Sequence, residues 1–467
     1  MKKSANDELV FLPLGGSNEI GMNLNCYGYG PEHNRQWLIA DVGVTFGDPS
    51  TPGIDVIVPD PSFLEGEKIR GIVLTHAHED HIGALGWLWT RMKAPLYATP
   101  FTAFLIREKL REAGILNQVK IHEVPLNGTI DLDPFKVTMI TMTHSIAEPN
   151  GLAIRTPLGT VFHTGDWKID DGPVVGEVTD AKAITALGDE GILAMVCDST
   201  NVFSEGYAGS ETGVAEELDT LIGSLKHGRI AVGCFASNVA RMDSVIRAAE
   251  KHGRRIFLAG RSMNRITAAA KHVGMLSDVK KFLSDEEARV WPADEILYLC
   301  TGSQGEQNAA LARVASGTHP TVKLGRGTIA SSRPGSSPAM SWASAVCRTV
   351  SPSAACASTP RRTTPASTSR ATPAVKSCAR CTAGPARRSR SRPTACAATS
   401  PSMPCWRARW ACPSPSRPAT AIWSVWPPGR RSSSTRSRTA ACSSTAACWC
   451  PNRARPCANA ATPRPTA

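Results

Sequence analysis

The segment His76-Ala-His-Glu-Asp-His81 constrains this 467-residue chain more than any other part of it. It follows the apolar run Gly71–Thr75, which predicts a buried strand. Three imidazoles and an aspartate just past a strand make a poor hydrophobic core but a good set of metal ligands. Alternation places the first two histidines on one side, with Asp80 and His81 at the following turn. The segment can therefore supply ligands to two adjacent metal ions. A chance surface cluster is the alternative interpretation.

Further polar residues stand where such a site needs them. Asp41, His144 and Asp166 each come shortly after a run of apolar, β-rich residues, so each is expected to emerge at a strand end. Taken singly, His144 or Asp166 would more often cap a helix or hold a structural hydrogen bond. Their occurrence in order around the histidine segment favours the metal site.

The order Asp, HxHxDH, His, Asp resembles that of the metallo-β-lactamase superfamily. The resemblance implies an αββα sandwich and two divalent metal ions, Zn²⁺ first, with Mn²⁺ or Mg²⁺ as alternatives. It implies that one metal is bound by His76, His78, His144 and Asp166. The second would be bound by Asp80 and His81, with Asp166 bridging, while Asp41 would orient a ligand without binding metal itself.

Five other segments are similar to the ribonuclease J family, the branch that carries a β-CASP α/β domain inserted in the lactamase fold. They are Gly15–Gly21, Asp166–Asp170, Cys197–Asn201, Phe235–Asn238 and Thr301–Glu306. The resemblance extends from about residue 8 to about residue 330. It predicts a lactamase domain over residues 1–205 and a β-CASP-like domain over 206–330.

Periodicity within residues 206–330 independently predicts an α/β domain. The pattern indicates two helices and three strands, namely Glu211–Leu225, Val239–His252, Arg229–Phe235, Arg255–Leu258 and Glu295–Cys300. Alternating strands and helices favour a parallel sheet, and ligands of such sheets bind beyond the carboxyl ends of the strands.

Small and polar residues occupy those strand ends and form a candidate RNA-binding or phosphate-binding set: Phe235, Ser237, Asn238, Ser262, Gly302 and Ser303. Small residues at helix starts let backbone N–H groups approach a phosphate, and Phe235 is a candidate for base stacking. Ordinary helix capping by Ser and Asn is the alternative. Next to a two-metal site, three such loops favour a cleft for an RNA backbone.

The resemblance implies a metal-dependent RNA hydrolase of RNA maturation and decay, acting as an endonuclease and as a 5′-to-3′ exonuclease. Two metals can hold a bridging hydroxide with a pKa near 7, against about 15.7 for bulk water, so that it attacks a phosphodiester at neutral pH. Asp80 and Asp198 are the candidate catalytic residues, and Asp198 would pass a proton to the leaving oxygen. The family also implies a homodimer or tetramer, held together in part by a C-terminal domain.

The overall charge of +12 is unevenly distributed along the chain. Residues 334–467 contain no Asp, Glu or His but carry nineteen Arg and one Lys, which leaves −8 for residues 1–333. Eleven of the fifteen cysteines also lie in this tail, and the scattered four of the body suit reduced thiols in the cytoplasm. Neither a secretory signal nor an apolar run long enough for a membrane span is apparent.

The Ser-, Arg-, Pro-, Ala- and Cys-rich tail, residues 331–467, admits three interpretations. It is a disordered RNA-binding arm, a metal module around Cys378-Ala-Arg-Cys381, or an out-of-frame translation. Shifting the reading frame by one base lets Ser337–Trp342 encode I-P-G-N-E-L, Thr368–Pro373 encode H-V-S-G-H-P, and Pro393–Ala395 encode A-H-G. These resemble ribonuclease J segments in their order, so we favour a frame slip near residue 330.

A frame slip would remove a histidine of the second metal, the phosphate-binding H-x-S-G-H segment and the dimerising domain. It predicts a chain with low solubility and weak or absent nuclease activity. The alternative function is therefore a truncated, non-catalytic family member that binds RNA at most through its basic tail. A hydrolase of small esters is disfavoured, because such a substrate needs no long β-CASP insertion.

Overall fold

The computed structural model describes residues 6–48, 50–206, 208–303, 309–322, 329–332 and 423–425. For the last two stretches it describes the strand but not the side chains. Among the described helices, none combines the length and apolar character that a bilayer crossing requires.

The first sheet is built mainly from the N-terminal third of the chain. Its strands and a small adjacent ribbon are β1 (Glu8–Gly15), β2 (Leu24–Gly30), β3 (Gln36–Ala40), β4 (Thr45–Phe46), β5 (Val56–Ile57), β6 (Lys68–Val73), β7 (Leu96–Ala98) and β8 (Ile121–Glu123). The sheet runs β1-β2-β3-β6-β7-β8, antiparallel through β3 and parallel from there on. The pair β4–β5 stands apart as a two-stranded ribbon.

The second sheet follows in sequence and pairs mostly as a meander. Its strands are β9 (Thr129–Leu132), β10 (Phe135–Thr141), β11 (Asn150–Thr156), β12 (Gly159–His163) and β13 (Ala194–Val196). They lie in the order β13-β12-β11-β10-β9, antiparallel except for the parallel pair β12–β13. The parallel pair brings the carboxyl ends of β12 and β13 side by side.

Helices cover the outer face of each sheet. The helices of this half are α1 (Glu79–Ile82), α2 (Leu85–Met92), α3 (Pro100–Glu112) and α4 (Ala181–Glu190), with short 3-10 turns at Ser62–Leu64 and Leu116–Gln118. Apolar residues of α2 and α3 pack on the first sheet, and those of α4 pack on the second. A separate core fills the space between the two sheets, where Tyr27, Leu38 and Val73 meet Val137 and Leu152. The predicted αββα sandwich is confirmed.

The second α/β domain follows β13. Its elements are α5 (Glu211–Ser224), β14 (Ile230–Gly233), α6 (Val239–Lys251), β15 (Arg255–Ala259), α7 (Arg261–His272), α8 (Asp285–Val290), β16 (Ile296–Cys300), α9 (Ala310–Ala315) and β17 (Ile329–Ser332), with a 3-10 turn at Ala293–Glu295. The strands form a parallel sheet, as the sequence predicts, and they lie in the order β15-β16-β14-β17. The predicted elements are present, with ends that differ by at most two residues.

The final described strand, β18 (Trp423–Val425), lies within the predicted tail. It pairs antiparallel with Leu9–Phe11 at the outer edge of β1. The remainder of the predicted tail, apart from the end of β17, lies outside the described residues.

The two domains are joined by hydrogen bonds to a buried carboxylate that follows β12. Asp170 accepts hydrogen bonds from the backbone N–H groups of Gly172 and Glu211, at 3.0 Å each. It also forms an ion pair with Lys168 at 3.0 Å. Ser210 caps α5 through its side chain and donates to the Gly172 carbonyl at 2.9 Å. The start of α5 is therefore fixed to the loop that follows β12.

Replacing Asp170 by Asn is expected to reduce the free energy of unfolding by about 2 kcal/mol at pH 7. Burial alone would raise the pKa of Asp170, but hydrogen bonds from Ser210 and Glu211, with Lys168, lower it from 3.8 to about 2. Because the folded pKa lies below the unfolded one, the stabilisation is full above about pH 4 and declines as the pH falls toward 2.

Denaturant unfolding between pH 7 and pH 3 measures this effect. The exposed Asp189 of α4 provides a matched control, since Asp189→Asn should leave the unfolding midpoint nearly unchanged. Equal stability of the Asp170 and Asp189 variants at pH 7 would contradict the assignment.

Candidate metal centre

Strand ends deliver the ligand candidates to one edge of the sandwich. His76 and His78 follow β6, His144 follows β10, and Asp166 follows β12. Asp80 and His81 do not lie in a simple turn, as the alternation pattern predicted. They lie in α1, a single helical turn that begins at Glu79, because the backbone N–H groups of His81 and Ile82 both bond to the His78 carbonyl.

Three imidazoles and one carboxylate form the first donor group. The Nδ1 atom of His78 lies 3.0 Å from Nε2 of His76 and 3.2 Å from Nε2 of His144. Nε2 of His144 is 3.7 Å from Oδ2 of Asp166. One donor atom from each of the four residues lies within 4.8 Å of all the others.

Asp166 also belongs to a second donor group, with Asp80 and His81. Nε2 of His81 lies 3.4 Å from Oδ1 of Asp166 and 3.6 Å from Oδ2 of Asp80. The two oxygens of Asp166 therefore face different groups, Oδ2 toward His144 and Oδ1 toward His81. This is the arrangement of a carboxylate that bridges two cations.

The histidines of the first donor group have the protonation state that binding of a metal ion requires. Burial, reinforced by neighbouring imidazoles, lowers the pKa of His76 well below its usual range. Burial likewise lowers the pKa of His78 to about 3 and that of His144 to about 4, against the attraction of Asp166. All three rings are neutral at pH 7, so their converging lone pairs are free to bind a metal ion.

The second group has the opposite balance of charge. Burial lowers the pKa of His81, but Asp41 and Asp166 outweigh it and hold that pKa well above its usual range. Burial raises the pKa of Asp166, but His81 with His144 lowers it below its ordinary value. The carboxylates of Asp41, Asp80 and Asp166 surround His81, and a cation bound there would take the place of the proton on Nε2 of His81. The donor set as a whole fits a divalent metal site.

Asp41 is fully buried and aligns two of the histidines. Its Oδ2 accepts a hydrogen bond from Nδ1 of His81 at 2.8 Å. Its Oδ1 accepts one from the backbone N–H of Thr75 at 2.8 Å, and Oδ2 lies 2.9 Å from the Thr75 hydroxyl. That hydroxyl is 3.0 Å from Nδ1 of His76. Thr75 was not predicted from the sequence, although it directly precedes His76.

Two loops, the one before β2 and the one that follows β3, form a clamp on α1. Asn23 donates from Nδ2 to the Asp80 carbonyl at 3.1 Å and lies 3.3 Å from Nε2 of His81. Gly43 packs so tightly that a Cβ atom there would fall 1.6 Å from the backbone carbonyl oxygen of Asp80. Neither residue was predicted. The sequence feature that could have indicated Asn23 is its position two residues after the Gly15–Gly21 motif.

Gly43→Ala is expected to destabilise the fold by about 1–3 kcal/mol and to reduce bound metal, because the added methyl group must displace Asp80. Thermal unfolding and metal content of the purified protein measure both effects. Gly188→Ala is the control, since a Cβ atom at that helical position meets nothing within 4 Å. Normal metal content in a folded Gly43 variant would contradict this role of the clamp.

His163 is the last residue of β12. It is buried, and its Nδ1 lies 2.9 Å from the hydroxyl of Tyr27 in the core between the sheets. Asp198, the other catalytic candidate, follows β13. Its backbone N–H donates to the Thr164 hydroxyl at 3.1 Å, and its Oδ1 accepts from Thr200 N–H at 2.8 Å. Asp198 thus stands beside the loop that carries Asp166.

The predicted RNA-binding residues lie at the carboxyl edge of the parallel sheet, but in different surroundings. Ser237 reaches the metal site, with its Oγ 3.1 Å from Nε2 of His78. Asn238 caps α6 by accepting a hydrogen bond from the Arg241 N–H at 2.9 Å, which is the helix-capping alternative. Phe235 is 42% exposed.

The remaining members of that set are on α7 and after β16. Ser262 is exposed in the first turn of α7, which has no side-chain cap. Gly302 has a φ of +108°, a conformation that favours glycine, and a Cβ atom there would fall 2.6 Å from Ala309. Ser303 is buried, and its hydroxyl has no hydrogen-bond partner among the described residues.

An αββα sandwich with His and Asp donors at its strand ends, next to a parallel α/β domain, defines a metallo-β-lactamase-type protein of the β-CASP branch. Comparison with known families agrees: residues 51–187 match "Beta-lactamase superfamily domain", and residues 227–341 match "Ribonuclease J, beta-CASP domain". The chain belongs to the ribonuclease J family.

Ribonuclease J proteins of several bacteria are similar to this chain in sequence. The chain is 46% identical over 312 residues to Ribonuclease J of Sinorhizobium meliloti, covering 66% of this chain and 55% of the relative. It is 38% identical over 321 residues to Ribonuclease J 1 of Streptococcus pyogenes, covering 68% and 56%. Against Ribonuclease J of Thermus thermophilus the identity is 37% over 339 residues, covering 70% and 58%. The chain thus spans a little over half the length of these relatives.

Proposed function

We propose that this chain is a metal-dependent RNA hydrolase of the ribonuclease J type, with endonuclease and 5′-to-3′ exonuclease activity in RNA processing. The observation that carries the proposal is Asp166, whose two oxygens face two adjacent donor groups. Two cations held that close suit in-line attack on a phosphodiester, because both the attacking and the leaving oxygen need charge stabilisation. The names of the relatives supply RNA as the substrate class.

The proposed metal ligands are those of the two donor groups, namely His76, His78, His144, Asp166, Asp80 and His81. We propose Zn²⁺ as the resident ion, since three or more imidazoles favour it over Mg²⁺, with Mn²⁺ as an alternative. When bound, the two ions would supply Lewis acidity and a water of lowered pKa. Asp41 keeps His81 and, through Thr75, His76 in the orientation that ligation requires.

Protein groups would carry the remaining steps. We assign to Asp80 the orientation of the attacking water, and to Asp198 the return of a proton to the leaving O3′ atom, which would leave a 5′-phosphate on the product. Phe235 would stack on a base, and the loops with Ser262, Gly302 and Ser303 would approach the backbone phosphates.

Cleavage of a short RNA with a labelled 5′-monophosphate, with Zn²⁺ or Mn²⁺, tests the proposal. The full chain should release 5′-phosphorylated products, and EDTA or Asp80→Asn should abolish them. A small ester should be hydrolysed far more slowly. RNA binding without cleavage at any metal concentration would instead support a non-catalytic family member.

We also propose a cytoplasmic location. RNA processing takes place there, and none of the four cysteines of the described residues, Cys26, Cys197, Cys234 and Cys300, forms a disulfide. Burial raises the pKa of Cys234 and of Cys300 to about 12 each, so these two thiols are protonated and unreactive.

A further inference from the structure

His78 presents its two ring nitrogens to two different domains. Its Nδ1 faces the nitrogens of His76 and His144, at 3.0 and 3.2 Å, and is therefore the atom that belongs to the first donor group. Its Nε2 points away from that group and lies 3.1 Å from the hydroxyl oxygen of Ser237. Ser237 is on the loop between β14 and α6, in the β-CASP domain, 159 residues further along the chain.

Two other histidines of the site follow the same pattern within the lactamase domain. The nitrogen of His81 that faces away from Asp166 bonds to Asp41, and the nitrogen of His76 that faces away from His78 lies against the Thr75 hydroxyl. A metal-binding histidine needs such a partner, because the partner fixes both the tautomer and the ring orientation. For His78 that partner is a residue of the other domain.

We propose that Ser237 is a positioning residue that holds His78 as an Nδ1 ligand, so that metal retention depends on docking of the β-CASP domain. A metal at Nδ1 leaves the proton on Nε2, which then donates to Ser237 Oγ. Without the hydroxyl, that N–H group loses its protein acceptor, and the contact that fixes the ring orientation is gone. The proposal rests on the metal-binding role of His78 but not on the choice of substrate.

The loop that carries Ser237 is tied back to the lactamase domain. The Arg241 side chain, one turn into α6, pairs with Glu211 at 3.1 Å. Glu211 also lies 3.6 Å from Lys168, and its backbone N–H bonds to Asp170. Lys168 and Asp170 directly follow the bridging ligand Asp166. A shift of the β-CASP domain would therefore disturb the partner of His78 and the Asp166 loop together.

Two substitutions of Ser237 that are isosteric with each other separate the effect of the hydroxyl from that of side-chain shape. Zinc affinity of the full chain is measured by competition with a chromogenic chelator, and the coordination geometry by the visible spectrum of the Co²⁺ form. Ser237→Val should weaken zinc binding by about 10- to 100-fold and change the Co²⁺ spectrum. Ser237→Thr, which keeps a hydroxyl, should stay close to the parent in both measurements.

The control is Ser224→Val at the end of α5, where the serine hydroxyl donates to the Leu221 carbonyl within its own helix. It should leave zinc affinity unchanged. Parent-like affinity of a folded Ser237→Val protein would overturn the proposal, as would equal losses in the Val and Thr variants.

Should Ser237→Val fail to fold by circular dichroism, Glu211→Gln tests the coupling without touching His78. That change weakens the ties to Lys168 and Arg241, and it should also lower zinc affinity, by a smaller factor. Unchanged affinity would overturn the dependence on domain docking. Loss of zinc affinity in a chain that cleaves no RNA would support this inference while contradicting the proposed function.

Discussion

Asp166→Asn is expected to reduce bound zinc from two ions per chain to at most one and to lower RNA cleavage by at least about a hundredfold. Asp166 gives one oxygen to each donor group, so a single change weakens both sites. The amide offers one weak oxygen ligand and carries no negative charge, so it cannot replace a carboxylate shared by two cations.

Metal content by mass spectrometry and cleavage of the labelled RNA measure this effect together. Asp131→Asn, an exposed change in β9, is the matched control and should retain both ions. Two tightly bound ions in the Asp166 variant would show that the carboxylate does not bridge, whatever the cleavage rate.

A chain translated in the shifted frame after about residue 330 is expected to cleave RNA at least about 10- to 100-fold faster than this one. The shifted frame restores a histidine of the second metal, and losing a direct ligand should cost at least as much as losing an outer partner. The relatives match 66–70% of this chain and 55–58% of their own length. Part of this chain and part of each relative therefore remain unaligned, as a change of frame would produce.

Independent reading of the DNA across codons 320–345 is the first measurement, followed by cleavage assays on both proteins side by side. Stop codons or unrelated codons in the other frame would contradict the frame slip and favour the basic RNA-binding arm. Equal activity of the two proteins would show that the restored segments are dispensable.

The donor residues could be predicted because short-range pattern determines where they emerge. The spacing of His76 and His78 after an apolar strand is sufficient to place both at a strand end, and the same holds for His144 after β10. The helical turn of α1 was missed because four residues carry no detectable periodicity. Its formation depends instead on the fit of Gly43 and Asn23 against the Asp80 backbone.

Partners from distant segments could not be predicted. The contact between His78 and Ser237 joins two domains, and no local rule distinguishes a serine that contacts a histidine from one that faces a phosphate. The same limit applies to Asn238, where the capping alternative and the phosphate alternative share one sequence pattern. Position in the assembled fold decides between them.

Asp41 has a left-handed backbone, with a φ of +65°, and its side chain is saturated by Thr75 and His81. Such a conformation costs free energy for a residue other than glycine and persists only where surrounding contacts enforce it. These contacts involve protein atoms alone, so the polypeptide itself fixes the side chain of Asp41 against Thr75 and His81. We expect exchange of one divalent cation for another at the proposed metal site to leave the orientation of His81 unchanged.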